Sequence, residues 1–313
     1  MSRYARIVAR RVLEAVPVLI GITIVTFLLV RALPGDPARA IAGLRAGPEV
    51  LAEIRDRIGV DEPAVEQYRR YLGRVVRGDL GTSFVLNESI NGLVRARLPA
   101  TLFLIGYAVV LSLLVGVPLA LWSALKRNRW PDHLVRALLV VLLGIPSFWL
   151  GILLVTYLAL ETGWFPSGGY GTGFGGHLSH LFLPALTLAV TFLAVLVRSL
   201  RASTLEVLEA DYVALARLKG ISQRRLLGRH VLRNALRPAV TIVGLNMSFL
   251  LGASVIVESV FAVDGIGATL VQAILARDFL LVQGIALVFG VIVLLITLAV
   301  DLTQTALAPR EGR

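Results

Sequence analysis

Residues 198–238 read RSLRASTLEVLEADYVALARLKGISQRRLLGRHVLRNALRP and lie between two apolar stretches. The layout is helix, glycine, helix. Ser203 with Glu206 three residues later forms a capping box, in which each residue's side chain serves a backbone N–H that a helix start leaves free. Leu205, Leu208, Tyr212, Leu215 and Ala216 then recur at helical spacing on one face, with Glu206, Glu209 and Arg217 elsewhere. Gly220 is predicted to stop this helix, because glycine adopts left-handed backbone without a Cβ penalty. Ser222 can cap a second helix, running through Leu226, Leu227, Val231 and Leu236 to Pro238. A short helix held by a rigid bend has the shape of a docking element. Spacing alone fits an ordinary polar loop with two short helices equally well.

Outward from this segment the chain is apolar. Of its 313 residues 57% are hydrophobic and 16% charged, and the mean hydropathy is +0.80. A soluble domain is about half apolar and about a quarter charged, so lipid is the main solvent here. Six apolar spans are predicted: Val12 to Val30, Leu102 to Trp122, Ala137 to Leu160, Leu181 to Val197, Ala239 to Val257 and Leu280 to Val300. Each is near the roughly 20 residues that a helix needs to cross about 30 Å of hydrocarbon. The expected fold class is an all-α membrane protein with six transmembrane helices, a single domain over residues 1–313. The first span lacks a clean small-residue cleavage site, so it is expected to stay in the bilayer. Pro118, Pro146 and Pro184 are expected to kink their helices.

Charge sets the orientation. The net charge is +11, nearly all from arginine, with Lys126 and Lys219 the only lysines. Such a balance suggests nucleic acid, but the basic residues flank apolar runs, as membrane topology requires. Nucleic-acid binding is therefore set aside. With the N-terminus inside, the inner segments hold Arg3, Arg6, Arg10 and Arg11, then Lys126, Arg127, Arg129 and Arg136, then nine basic residues between Arg198 and Arg237. The short outer segments are nearly free of Lys and Arg: Glu161 to His180 has none, and Glu258 to Phe279 has only Arg277. Both termini are expected to be cytoplasmic. Residues 31–100 form the long outer segment, too long for the charge rule to count. It is predicted to fold as a helical extracytoplasmic cap, with helices over Glu49 to Ile58 and Ala64 to Val76 and Pro63 at a helix start. Ala268 to Ala276 is expected to be a short helix dipping back at the outer side, and the tail after Asp301 to be short and mobile.

Three motif regions carry a resemblance. Asp211 to Ser222 followed by Arg229 to Pro238 resembles the coupling segment of ABC-importer permeases, above all the dipeptide/oligopeptide branch. The general pattern is Glu-Ala-Ala, three residues, Gly, nine residues, Ile, one residue, Leu-Pro. Gly220 and Ala216 fit it; Ala214, Leu215, His230 and Leu232-Arg233 depart from it. Leu33-Pro34-Gly35-Asp36-Pro37, Arg77 to Ser83 and Leu98-Pro99-Ala100-Thr101 are similar to signatures of the same branch. So are Glu258 to Phe261, Asp264 to Gly267 (with Asp264-Gly265 for the usual Pro-Gly), Arg277 to Phe279 and Val282 to Gly284.

The resemblance implies a type I ABC importer transmembrane domain in a prokaryotic inner membrane. It implies a second homologous permease subunit, two cytoplasmic ATP-binding subunits and an extracytoplasmic solute-binding protein that faces residues 31–100. The coupling segment would be 198–238, with Glu209, Asp211, Tyr212, Ala214, Ala216 and Gly220 meeting the ATPase. Transport would be by alternating access. Di- or oligopeptides are the implied cargo, with glutathione and nickel complexes as alternatives.

Chemistry of the chain's own is not legible. There is no cysteine, hence no disulfide framework, thiol catalysis or Cys-ligated metal. No G-x-x-x-x-G-K-[ST] cradle occurs, so any ATP must be bound by partner chains and no cofactor is expected. Gly171 to Gly176 fits G-x-G-x-x-G, yet a dinucleotide site needs a strand before it and a helix after it, so a connector is expected. His177 and His180 lack carboxylate or cysteine neighbours that would complete a metal site. Paired carboxylates or a nucleophile inside the spans are missing, which argues against an enzyme. Glu14 lies near the inner end of the first span, where it can snorkel, and is read as structural. Asn246, Ser248, Ser254 and Ser147 are the candidate lining of a translocation path, because an unpaired amide or hydroxyl in lipid is costly; bonding between helices explains each equally well. Arg225, Arg229, Arg233 and Arg237 recur every four residues as a stripe for anionic headgroups or an acidic partner. A stand-alone secondary transporter would show inverted hydropathy repeats or a buried acidic relay, and neither is seen.

Overall fold

The computed structural model describes residues 3–32, 47–49, 51–52, 55, 62–83, 85–222 and 225–307. The expected helix Glu49 to Ile58 lies largely outside these residues, and the Leu33 to Pro37 motif wholly so. The described chain is almost entirely helical. In order it forms α1 (Arg3–Ala32), α2 (Ala64–Val76), the two-residue strands β1 (Thr82–Ser83) and β2 (Glu88–Ser89), and α3 (Ile90–Leu125). Then come α4 (Trp130–Gly144), α5 (Ser147–Leu154) with a π-helix over Val155–Glu161, α6 (Gly173–Glu209) and α7 (Asp211–Leu218). A second π-helix (Leu226–Leu232) leads into α8 (Arg233–Val260), followed by α9 (Ile266–Leu275) and α10 (Phe279–Leu307). Among the described residues five helices are long and apolar enough to cross a membrane, or six if the bent pair α4 and α5 is one span.

The helices outrun the apolar runs that announced them. α3 has 36 residues and α6 has 37, so at about 1.5 Å per residue each exceeds the roughly 30 Å of hydrocarbon by more than 20 Å. The expected third span, Ala137 to Leu160, is not one helix. α4 and α5 meet at 95°. Pro146 removes an N–H and drives Ile145 into extended backbone at ψ 118°. Pro118 and Pro184 sit inside α3 and α6 without interrupting them.

Two more expectations about the polar segment are corrected. Ser203 is buried inside α6, near its C-terminal end, and starts no helix; α6 runs on through the helix-forming stretch that follows and ends at Glu209. Pro238 does not end the second helix either, since α8 passes through it into the fifth span. A proline within a membrane helix is tolerated where the freed carbonyl finds another partner. α10 also stays helical to Leu307, past Asp301 where a mobile tail was expected to begin.

The chain divides into two compact units, one centred on Thr101–Val263, the other joining Val8–Ala100 to Asp264–Leu294. In the first, α6 is the central helix, with most of its apolar stretch buried. Ala120, Val135, Leu139, Val197, Leu200 and Ala235 pack there from α3, α4, α6 and α8. At the other end of that unit Thr101 donates to the fully buried Glu258 at 2.7 Å. In the second unit Ile90, Leu93, Ala273, Leu281 and Ile285 form the core. Asp278 organises its turn: Ser83 Oγ donates to Oδ2, Val85 N at 3.3 Å to the same oxygen, and Leu281 N at 3.2 Å to Oδ1. Arg97 donates to Thr269 on α9 at 2.7 Å. α2 matches the second helix expected between residues 31 and 100, and Tyr68 on it bonds Thr23 on α1 at 2.9 Å. Glu14 is held on its own helix by Arg10 at 2.7 Å and Arg11 at 2.9 Å.

Close helix approach depends on Gly244, where an added Cβ would meet the Val300 side chain at 2.0 Å. The Val300 Cβ itself would lie 2.9 Å away, so turning the side chain does not clear the contact. Gly244→Ala is expected to destabilise by about 1–3 kcal/mol, read as a lower unfolding temperature of the purified protein in detergent.

Candidate functional site

The candidate site lies where α6 ends. Ala210 is extended, with φ −70° and ψ 141°, and turns the chain into α7. Its carbonyl accepts from Val213 N at 2.9 Å and Ala214 N at 3.3 Å, which starts the new helix. Asp211 supplies negative charge to the first turn, where the helix dipole favours it. The far end is closed by Gly220 at φ +74°, with Ile221 N donating to Ala216 O at 3.2 Å. That is the reverse turn that a glycine past the last helical turn permits. An eight-residue helix is too short to persist alone in water, so tertiary packing must hold it.

The packing is one-sided. Val213 and Ala216 are buried against Leu226 and Val231, with Val207, Leu208 and Ile221 around them. Tyr212 Oη accepts from Asn234 Nδ2 at 3.0 Å, tying α7 to the start of α8. The opposite side faces out: Leu215 is 57% and Leu218 84% exposed, beside exposed Asp211, Tyr212 and Ala214. One turn of this helix thus leaves two large apolar side chains open. Of the six residues singled out in the sequence, Glu209, Asp211, Tyr212, Ala214 and Gly220 lie at this surface, whereas Ala216 is inside and supports it.

Sequence reasoning missed a polar centre that joins α3, α4 and α6. Asp132, in the first turn of α4, is fully buried. Arg201 of α6 grips it with two bonds, Nε to Oδ1 at 2.7 Å and Nη2 to Oδ2 at 2.8 Å. Ser123 of α3 donates to Oδ1 at 2.6 Å, and the backbone N of Asn128 to Oδ2 at 3.0 Å. Arg201 Nε also reaches Ser123 Oγ at 3.1 Å. Stripping one partner from such a buried pair costs about 3–5 kcal/mol. The neighbouring pair between Arg127 and Glu209 is half exposed and contributes only about 0–1 kcal/mol. The signal for this centre was weak. An acid after Trp130-Pro131 reads as ordinary first-turn charge, and its partner is remote in sequence.

The other sequence candidates are dispersed. Asn246 Nδ2 donates to Ile242 O at 2.8 Å and Ser254 Oγ to Leu251 O at 2.9 Å, each within its own helix. Ser254 is fully buried, and Ser147 and Ser248 are half-buried. His177 bonds the Tyr170 carbonyl at 2.9 Å and stacks on its ring at 3.9 Å; His180 bonds the Gly176 carbonyl at 2.9 Å. Both therefore brace the glycine-rich connector. Among the described residues no group of three or more His, Cys, Asp or Glu is placed to hold a metal. Of the arginine stripe, only Arg225 has a described side chain, and it is exposed.

Leu226 is the floor beneath α7, with 1% of its surface exposed. Leu226→Ala is expected to cost about 2–5 kcal/mol locally, seen as faster amide hydrogen exchange across Asp211–Leu218 with protection of α6 retained.

Two family descriptions match the chain: "Binding-protein-dependent transport system inner membrane component" over residues 116–313, and the N-terminal membrane component of the same systems over residues 4–105. A putative peptide transport system permease protein of Brucella abortus is 40% identical over 307 residues, covering 97% of this chain and 98% of the relative. A glutathione transport system permease protein of Salmonella typhimurium is 38% identical over 302 residues, covering 96% and 97%. Among solved structures, an inward-facing form of the MetNI methionine ABC transporter aligns with a TM-score of 0.60 at 18% identity, over 69% of this chain and 97% of that one. An amino acid ABC transporter aligns at 0.53 and 19%, over 69% and 94%. At such identities the likeness is one of fold. The family match over more than half the length, with 40% identity across nearly all of it, leaves one conclusion: this chain belongs to the binding-protein-dependent transport system inner membrane components, with the type I ABC importer transmembrane fold.

Proposed function

We propose that this protein is one of two homologous permease subunits of an ATP-driven importer and forms half of a pathway for di- or oligopeptides. The observation that carries the reading is the capped, half-exposed helix α7, in a chain 40% identical to a peptide permease along 97% of its length. ATP is bound by two cytoplasmic partner subunits, one of which seats on Asp211, Tyr212, Ala214, Leu215 and Leu218. Closure of those subunits displaces α7 and re-orients the spans, so that the path opens alternately to the two sides. A solute-binding protein delivers cargo to the segment 31–100. The arginine distribution supports cytoplasmic termini in a prokaryotic inner membrane, with lipid around the exposed apolar faces.

Glutathione is the second reading, favoured by the 38% identity to glutathione permeases. Since glutathione is itself a small peptide, the two readings share a path and differ in the delivering protein. Nothing among the described residues supports a nickel site. Asn246, Ser248, Ser254 and Ser147 remain the proposed polar lining of the path.

Two experiments test the reading. Leu218→Asp adds a charge at a position 84% exposed, so folding is spared, and is expected to weaken retention of the ATP-binding subunits about tenfold, roughly 1.4 kcal/mol, measured by co-purification. Gly220→Val forces a β-branched residue into left-handed backbone. Insertion should survive, while peptide uptake per ATP hydrolysed in reconstituted vesicles falls about tenfold, roughly 1.4 kcal/mol of lost coupling. Normal uptake by that variant, or a wild-type chain that retains no ATP-binding subunit, would defeat the proposal.

A further inference from the structure

α7 is the continuation of α6 past a single extended residue, so any displacement of α7 reaches α6 along the backbone. Reaching the other spans requires a sideways transfer. Two kinds of contact offer one. The first is apolar packing of Val135 and Leu139 on α4 against Val197 and Leu200 on α6. Such packing is non-directional and does not by itself fix one relative orientation. The second is the buried grip of Arg201 on Asp132, whose fork fixes both separation and orientation.

We propose that Asp132 and Arg201, with Ser123, are positioning residues for energy coupling: they form the joint through which movement of α7 is handed from α6 to the ends of α3 and α4. This rests on the importer reading above. The placement supports it at each step. Arg201 stands between the apolar part of α6 and Ala210, where the chain turns into α7. Ser123 lies near the end of α3 and Asp132 in the first turn of α4, so one carboxylate gathers both elements. α4 then runs to the 95° break at Ile145 and Pro146. Held at one end and hinged at the other, α4 is a lever of 15 residues, roughly 22 Å long at about 1.5 Å per residue. The exposed contact of Arg127 with Glu209 touches the same turn but is screened by solvent. Asp132 needs no cargo or nucleotide to be satisfied, since its oxygens already accept from Arg201, Ser123 and Asn128. Its task is mechanical.

The test uses the whole importer, reconstituted in vesicles, with three readouts: retained ATP-binding subunits, ATP hydrolysis, and peptide taken up per ATP. Asp132→Asn weakens the grip but keeps the side chain's shape and one oxygen to accept from Arg201. The double variant Asp132→Asn with Arg201→Gln removes both charges together, so no lone charge is stranded if the single change folds poorly. Both are expected to keep their ATP-binding subunits and hydrolysis within about twofold, while uptake per ATP falls at least fivefold. Arg201→Lys, which keeps the charge but loses the fork, should fall between. A purely structural role would lower uptake and hydrolysis together through loss of complex, leaving the ratio unchanged, and that result overturns the joint. Failure of the wild-type chain to retain ATP-binding subunits would instead sink the importer reading itself.

Discussion

Hydrocarbon offers no replacement for a lost backbone hydrogen bond, and this constraint shapes the whole molecule. It is why the described chain is almost all helix, and why its helices run past the apolar residues that first suggest them. Once a helix is under way, continuing it leaves no N–H or C=O orphaned. Interruptions therefore occur where the chemistry compels or permits them. Pro146 has no N–H to give, Ala210 turns in a segment of polar sequence, and Gly220 accepts a backbone that other residues resist. Two π-helices, Val155–Glu161 and Leu226–Leu232, show the remaining freedom: the turn can be widened without being abandoned.

Against that background the polar end of the first unit is built by a different economy. A buried carboxylate is tolerable only when its oxygens are served, and Asp132 is served by one guanidinium, one hydroxyl and one peptide N–H. Three consecutive parts of the chain and one remote helix are thereby fixed to a single point. α7 is held otherwise, by four buried apolar residues and a tyrosine–asparagine bond. One attachment is stiff and directional, the other broad and yielding.

Much of this was legible from residues alone. The apolar runs announced the spans, and Gly220 announced the end of α7, because both rest on local chemistry. The stretch Ala64–Val76 was read to its observed limits, with Pro63 ahead of it. What escaped depended on distance or competition. Ser203 and Glu206 make a good capping pattern, but a helix already running from Gly173 had no reason to stop there. Pro238 reads as a terminator, yet the helix behind it was long enough to absorb one missing bond. Pro146 and Pro184 look alike in sequence, and only the first stands where extended backbone could be accommodated. The bond from Arg201 to Asp132 joins residues whose pairing no periodicity encodes.

Leu215 and Leu218 stay wet in the isolated chain. Covering a leucine fully is worth about 1.5–3 kcal/mol, so a partner seated on this turn would gain from both. Surplus copies made without companions would present the same adhesive spot to one another and to any protease that samples loose greasy turns. Were α7 seated in a partner as proposed above, the same two leucines would make a lone copy prone to self-association.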